Sequence, residues 1–298
     1  MTYQANIGTP EAEFETEATI WSIGIYSGET LFDLRGANGT ENPVISAADI
    51  SDVRAEFVAD PFMIKADETW HMFFEVLLEG VEKGEIGWAT SNDGLRWNYR
   101  QIVLKESFHL SYPYVFYLDG SYYIVPETGE ASSIRLYKAD PFPNRWTFIG
   151  EILEGVWMDP SIFFFDGWCW MFASPAYGRL DLFYAESIDG PWRGHSMNPI
   201  VEGDIRIARP GGRVLVLGDK VIRFTQDGYP EYGTQVRAFE ISELTTTAYS
   251  ERELPGPILS PGNQTWNRLG MHHVDPHWVD GRWLACVDGW RNELLNLC

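Results

Sequence analysis

The residues best suited to chemistry in this chain stand immediately before five prolines. Asp60, Tyr112, Asp159, Arg209 and Asp275 precede Pro61, Pro113, Pro160, Pro210 and Pro276. Each opens an apolar run, a short turn reverses the chain, and a second apolar run closes on a polar side chain: Glu75, Glu127, Ser174, Gln226 and Asp288 in turn. Carboxylates, one guanidinium, a phenol and amides gathered at one opening are what an array of sugar hydroxyls requires. Two carboxyl groups at a suitable separation can act as acid and base across a glycosidic bond, and crowding like charges raises at least one pKa. The plainer reading stands beside this one. Asp before Pro is a common strand opening, because the carboxylate caps nearby amides while proline fixes the entry angle.

What gathers these residues is a repeat. The turn follows the proline by 6, 6, 6, 8 and 4 positions, at Asp67, Asp119, Asp166, Gly218 and Asp280. The closing residue follows it by 14, 14, 14, 16 and 12. Wherever the first run changes length the second changes with it, which is the register signature of an antiparallel hairpin. Five hairpins at a period of roughly 50 residues predict a circular array of sheets, a β-propeller. In a hairpin the residue before the first strand and the residue ending the second return to one edge of the sheet. The inner ring of one mouth then reads Asp60, Tyr112, Asp159, Arg209 and Asp275, with Glu75, Glu127, Ser174, Gln226 and its neighbour Asp227, and Asp288 just behind.

Each hairpin except the last is followed by a further strand pair, with Trp97, Trp146, Trp192 or Tyr249 at the start of the outer strand. The last ends too near the C-terminus to supply its own partners, whereas residues 21–46 form a displaced pair, with Phe32 in the matching place. The N-terminal strands are therefore expected to complete the last blade and close the ring. The predicted fold is all-β, five blades of four antiparallel strands over 21–290, preceded by a flexible acidic segment, 1–20, and followed by a tail, 291–298. No long stretch carries apolar residues at the helical period. Blade faces packing on one another account for most of the 13 Trp, 14 Tyr and 17 Phe.

Composition narrows the partners. With 22 basic against 43 acidic residues the net charge is −21, which disfavours nucleic acid and anionic membranes. No apolar run approaches the roughly 20 residues that a membrane span needs, so no membrane insertion is expected. The glutamate-rich start does not resemble an export signal, and the expected location is cytoplasmic. Cys169, Cys286 and Cys298 have no metal-ligand spacing.

The strings VADPFMI, YPYVF and MDPSIFFFDG resemble the blade openings of the five-bladed glycosidases of family 43. That resemblance implies Asp60 as the general base that activates water, and Asp159 as the residue that tunes and orients the acid. GMHHVDP resembles the family's last-blade histidine segment, which implies His272 or His273 at a possible calcium ion or water cluster in the channel. No cofactor is otherwise required. The family's acid glutamate would fall two residues before Pro210, where this chain has Ala208. Glu127, placed by the repeat, and Glu202, on a loop, are the two candidates for its role. Over nearly the whole chain, ADPFMI, WHMFFEV, HLSYPYVF, ARPGGRVL, IRFTQD, QVRAFEI and MHHVDPH resemble the N-terminal propeller domain of glucosamine inositolphosphorylceramide transferases and its stand-alone bacterial relatives. This implies a carbohydrate or glycolipid head group as ligand and a partner glycosyltransferase, with the transfer reaction carried elsewhere.

Arg206, Arg209 and Arg213 cluster in the fourth blade, with Arg223 on its return strand. They either hold a phosphate or sugar carboxylate through bidentate hydrogen bonds, or neutralise Asp60, Asp159 and Asp275. His109, ahead of the second blade, is a candidate sugar contact or proton donor. The expected enzyme is glycoside hydrolase-like and inverting, with Asp60, Asp159, Glu127 and Glu202 as candidate catalytic residues. Tyr112, Arg209, His109, Glu75, Gln226, Asp227, His273 and Asp275 are the candidate binding residues, and His272 is the metal candidate. The alternative is a propeller that binds a glycan without acting on it.

Overall fold

Each of the five proline-led hairpins forms part of an antiparallel sheet in the computed structural model, which describes residues 17–294. The chain opens with β1 (Glu17–Gly28) and β2 (Arg35–Gly36). The first complete blade is β3 (Ala55–Ala66), β4 (Thr69–Leu78), β5 (Gly84–Ser91) and β6 (Asn98–Leu104). The second is β7 (Ser111–Leu118), β8 (Ser121–Glu127), β9 (Ser133–Ala139) and β10 (Trp146–Glu154). In the third, β11 (Met158–Phe165), β12 (Trp168–Ala176) and β13 (Arg179–Ala185) are followed by two short strands, β14 (Arg193–Gly194) and β15 (Val201–Glu202), which both pair with β13. The fourth comprises β16 (Leu215–Leu217), β17 (Lys220–Asp227), β18 (Gln235–Leu244) and β19 (Tyr249–Glu253). β20 (Val274–Val279) and β21 (Arg282–Leu294) then meet β1 and β2 in the order β2-β1-β21-β20.

The structure is a five-bladed β-propeller, and its ring is closed by the N-terminal strands completing the last blade. β1 pairs with β21 from Glu17 opposite Leu294 to Gly28 opposite Trp283. These paired strands run past the expected limits of 21 and 290. The rest of the expected acidic segment and tail, including Cys298, lies outside the described residues. Phe32, expected at the start of the outer strand, sits instead on a 3-10 turn. Thr30 and Asp33 form a capping box there and hold the chain out of the sheet.

The hairpin turns follow local chemistry. Asp119-Gly120, Asp166-Gly167 and Asp280-Gly281 all have positive φ at both positions, the type I′ geometry whose twist matches the strands it joins. Between blades the core is aromatic and aliphatic. Phe73 of β4 packs edge-on to Trp146 of β10 at 5.3 Å, and Phe172 of β12 meets Tyr249 of β19 at 6.1 Å.

The fourth blade departs from the others. Its Pro210–Val214 stretch leaves the regular ladder and leans on β20, where Gly212 bridges Val274 in parallel. Side chains are excluded there, because a Cβ on Gly212 would lie 1.8 Å from the Val274 carbonyl oxygen, at a φ of +136°. The Gly212 N–H donates to the Tyr112 hydroxyl at 2.8 Å. Arg213 reaches across the axis to the carbonyls of Met63 and Val115 and to Asp275, so it joins three other blades. Tyr112 and Arg213 therefore tie the blades to one another through buried hydrogen bonds.

Candidate functional site

The mouth is built by a local irregularity repeated three times. Asp60, Tyr112 and Asp159 carry left-handed backbone, with φ of 52°, 46° and 50°. At each, the pairing of the first two strands slips, between Ala59 and Phe62, Ser111 and Tyr114, and Met158 and Ser161. These are β-bulges, which re-aim a side chain. Left-handed backbone in a non-glycine residue costs about 1–2 kcal/mol, so three instances at one mouth mark positions that the surroundings hold in place.

The closing residue of one blade fastens the bulge of the next. Asp288 of β21 accepts the Asp60 N–H at 3.0 Å, and Glu127 of β8 accepts the Asp159 N–H at 3.0 Å. Asp288 also accepts the backbone N–H groups of His272 and His273, each at 3.1 Å, and His272 Nδ1 at 2.8 Å. That leaves His272 Nε2 facing Asp60 Oδ1 at 3.7 Å, with His273 Nδ1 at 3.8 Å from the same oxygen. Burial works against a charge on His272, but Asp288 overrides it and lifts the imidazole above its ordinary value. Asp288 is itself held below the usual carboxylate range by that histidine, despite burial.

Asp60 is 6% exposed. Burial pushes its carboxyl up to about 7; Asp159 and Asp288 add to the rise, while His272 and Arg209 oppose it. Glu75, opposite Ala59 in the ladder, is pushed well above its ordinary value by burial and then by Asp60, Glu127 and Asp159. Glu127 is likewise raised by burial and by Asp159, against the pull of Arg209. Asp159 is clamped. Arg209 Nε and Nη2 donate to its two oxygens at 2.5 and 3.3 Å, and Gln226 Nε2 donates at 2.7 Å. Arg209 Nη2 also lies 3.6 Å from Glu127. His109 Nδ1 accepts the Gly84 N–H at 2.9 Å, so the proton of this neutral ring is on Nε2, 3.3 Å from Glu75 Oε1.

Asp60, Glu75, Glu127, Asp159, Arg209, Gln226, His109, His272 and His273 thus converge on one mouth. Several expected members lie elsewhere. Tyr112 is fully buried with its hydroxyl committed to Gly212 and Ser161. Asp275 faces down the axis, bound to Arg213, His277 and the Met63 N–H. The cause is visible in the backbone, since β20 pairs with β21 without a bulge and Asp275 lacks the left-handed turn of its counterparts. Asp227 pairs with Arg237 and Gln235 and accepts the Tyr229 N–H, which orders the β17–β18 loop. Glu202 is exposed on β15 opposite Arg179. Each of the four arginines has its own carboxylate: Arg206 with Asp204, Arg209 with Asp159, Arg213 with Asp275 and Arg223 with Glu251. None of these guanidinium groups is left over to bind an anion.

The donor set does not suit calcium. Asp60, His272 and Asp288 come within 4.8 Å of one another. Asp288, however, already accepts four N–H donors, and calcium takes six to eight oxygen ligands.

Two aromatic residues at the mouth were not expected from sequence. Trp21 of β1 stacks on the His272 ring at 4.0 Å. Tyr232, in the β17–β18 loop, is 43% exposed, lies 5.2 Å from the Arg209 guanidinium and sets its edge against His272 at 5.3 Å. Neither sits at a repeat offset, so no periodic signal distinguished them from blade-packing aromatics.

Residues 14–290 match the family model described as "Glucosamine inositolphosphorylceramide transferase 1, N-terminal". The chain belongs to this family. It is 34% identical to glucosamine inositolphosphorylceramide transferase 1 of Oryza sativa subsp. japonica, over 90% of this chain and 40% of that protein. It is 33% identical to the Arabidopsis thaliana protein of the same name, over 90% and 39%. The chain therefore spans about two-fifths of the length of these relatives. Among solved structures it resembles the catalytic domain of the Coprinopsis cinerea GH62 α-L-arabinofuranosidase, with TM-score 0.61 and 14% identity over 79% of this chain and 91% of that one. It also resembles the Cellvibrio cellulosa α-L-arabinanase, with TM-score 0.58 and 22% identity over 80% and 92%. At those identities the likeness shows the shared propeller fold. Among the described residues no helix is long and apolar enough to cross a membrane.

Proposed function

We propose that the mouth is a carbohydrate site of glycoside hydrolase type, in which Asp60 takes a proton from water or an acceptor hydroxyl and Glu127 donates one to the leaving oxygen. The observation that carries this reading is the state of Asp60. It is buried on a strained bulge, its Oδ1 has no hydrogen-bond partner, and its pKa of about 7 suits a base working near neutral pH. Glu127 is raised well above its ordinary value by burial and by Asp159, the direction a proton donor needs. Asp159 stays clamped by Arg209 and Gln226, where its charge supports the proton on Glu127. Tyr232 offers an exposed ring face at the rim for a sugar to stack on. No metal enters the scheme.

A second reading, a propeller that holds a sugar head group for a glycosyltransferase, is favoured by Ala208, fully buried where the glycosidase pattern calls for an acid. The family name and the uncovered remainder of the plant relatives agree with such a division of labour. A panel of nitrophenyl glycosides tested on wild type and Asp60→Asn separates the two. Hydrolysis that falls at least a hundredfold in the variant supports catalysis. Sugar binding without turnover in either protein supports the second reading, and turnover indifferent to Asp60 removes the first.

A further inference from the structure

Three loops on one side of the mouth are fastened to one another. The Gly178 carbonyl, in the β12–β13 loop, accepts the N–H groups of Gly203 and Asp204 in the β15–β16 loop at 2.8 and 3.3 Å. The Ile205 carbonyl in turn accepts the Gly228 N–H of the β17–β18 loop at 3.1 Å. That last loop is closed on its own stem, where Asp227 accepts the Tyr229 N–H on its side chain at 3.0 Å and the Thr234 N–H on its carbonyl at 3.2 Å. The result is a ledge spanning the third and fourth blades, ordered before any ligand arrives, so binding there does not have to order the loops.

The ledge presents large side chains to solvent. Tyr177 is 72% exposed, Tyr229 64%, and Ile205 and Tyr232 43% each. Clustered exposed apolar surface of this kind is the mark of a binding face. Arg179 and Arg206, the basic residues beside it, are held by Asp181 at 3.0 Å and Asp204 at 2.7 Å, while Glu202 and Glu231 of the flanking sequence are exposed. An anionic ligand or an anionic bilayer therefore meets no free counter-charge. A bilayer also calls for aliphatic or tryptophan side chains flanked by free lysine or arginine, and of these the ledge has only Ile205. Tyrosine suits a pyranose or furanose ring, because its face takes the sugar's C–H groups and its phenol oxygen stays available to hydroxyls. Tyr232 joins the ledge to the mouth, with its ring against Arg209 and His272.

We propose that the mouth is one end of a longer site, and that a neutral glycan chain seated there runs out over the third and fourth blades with further rings on Tyr229 and Tyr177. This rests on reading the mouth as a carbohydrate site and extends it from a single ring to an oligosaccharide.

Isothermal titration of the full chain with cellohexaose, xylohexaose and mannohexaose, and with glucose, xylose and mannose, tests it. One hexasaccharide binds at least about tenfold more tightly than its own monosaccharide, the worth of two modest ring stacks. Tyr177→Ala and Tyr229→Ala together bring it back to within about threefold of the monosaccharide, whose own affinity stays within about twofold, and each substitution alone removes part of the gain. Hexasaccharides that bind no more tightly than monosaccharides, or a gain that survives both substitutions, overturn the ledge and leave the mouth standing. Retention on phosphatidylcholine vesicles that the double variant loses overturns it too, by giving the ledge to lipid. No binding of any of the six sugars overturns both readings.

Discussion

Asp60→Asn should stabilise the protein, and more so at high pH, although Asp60 is the residue proposed to do the chemistry. Its carboxyl is raised from 3.8 to about 7 by burial, so the folded state holds its proton where the unfolded chain has released it. For a raised carboxyl, the favourable contribution is fully present below the unfolded pKa and is lost as pH rises through the folded one. At pH 8 the ionised group costs roughly 4 kcal/mol relative to its protonated form, and about 2.5 kcal/mol of that accrues between pH 5 and pH 8. Asparagine keeps the shape and has no charge to bury. Neighbouring groups are shifted too: Glu75 and Glu127 are raised, as is His272, while His273 is pushed down to about 4 by burial. Comparing the two proteins at each pH cancels most of their contribution. The assay is urea unfolding of both, followed by tryptophan fluorescence at pH 5 and pH 8. The stability gap in favour of asparagine should widen by about 2.5 kcal/mol between them. A gap that stays constant, or that shrinks at pH 8, would refute the reasoning that burial dominates at Asp60.

Removing Arg209 should act in the opposite sense. Arg209→Met leaves Asp159 buried without its clamp, and a loss of about 3–5 kcal/mol is expected in urea unfolding. Glu127→Gln keeps an acceptor for the Asp159 N–H, so it should lower any glycosidase turnover by roughly 10²–10⁴ while sugar affinity changes little. Tyr232→Ala, on a half-exposed side chain, should leave stability within about 0.5 kcal/mol and weaken sugar binding by about 1 kcal/mol, read by titration calorimetry. Gly212→Ala should cost more than 3 kcal/mol or abolish folding, seen as loss of the cooperative unfolding transition, since its Cβ would meet the Val274 carbonyl at 1.8 Å.

The fold was largely legible in the sequence, because register is a property of spacing. Matched changes on both sides of each turn could only arise from paired strands, and a final hairpin without outer strands could only be completed from elsewhere. The site was legible where the repeat was regular. Asp60, Glu75, Glu127 and Asp159 follow from the offsets, and their carboxyl groups influence one another electrostatically. Asp275 occupies the same offset but lacks the bulge, and a backbone torsion leaves no trace in a list of residue types. The arginines stayed open between an anion site and partners of the aspartates for a related reason. A run such as RIARPGGR shows positive charge, but the carboxylates that consume it come from β11, β19 and β20 and the β15–β16 loop, scattered along the sequence. Tyr232 and Trp21 arrive from a loop and from the exchanged strand, where periodicity carries no information about direction.

The account turns on whether a sugar sits at this mouth, and a crystal structure of the protein soaked with a monosaccharide asks that directly. The account predicts one ring under Tyr232, with a hydroxyl within hydrogen-bond distance of Asp60. A sugar found only on an outer blade surface, with the Asp60 and Glu75 side chains unmoved and untouched, would contradict it.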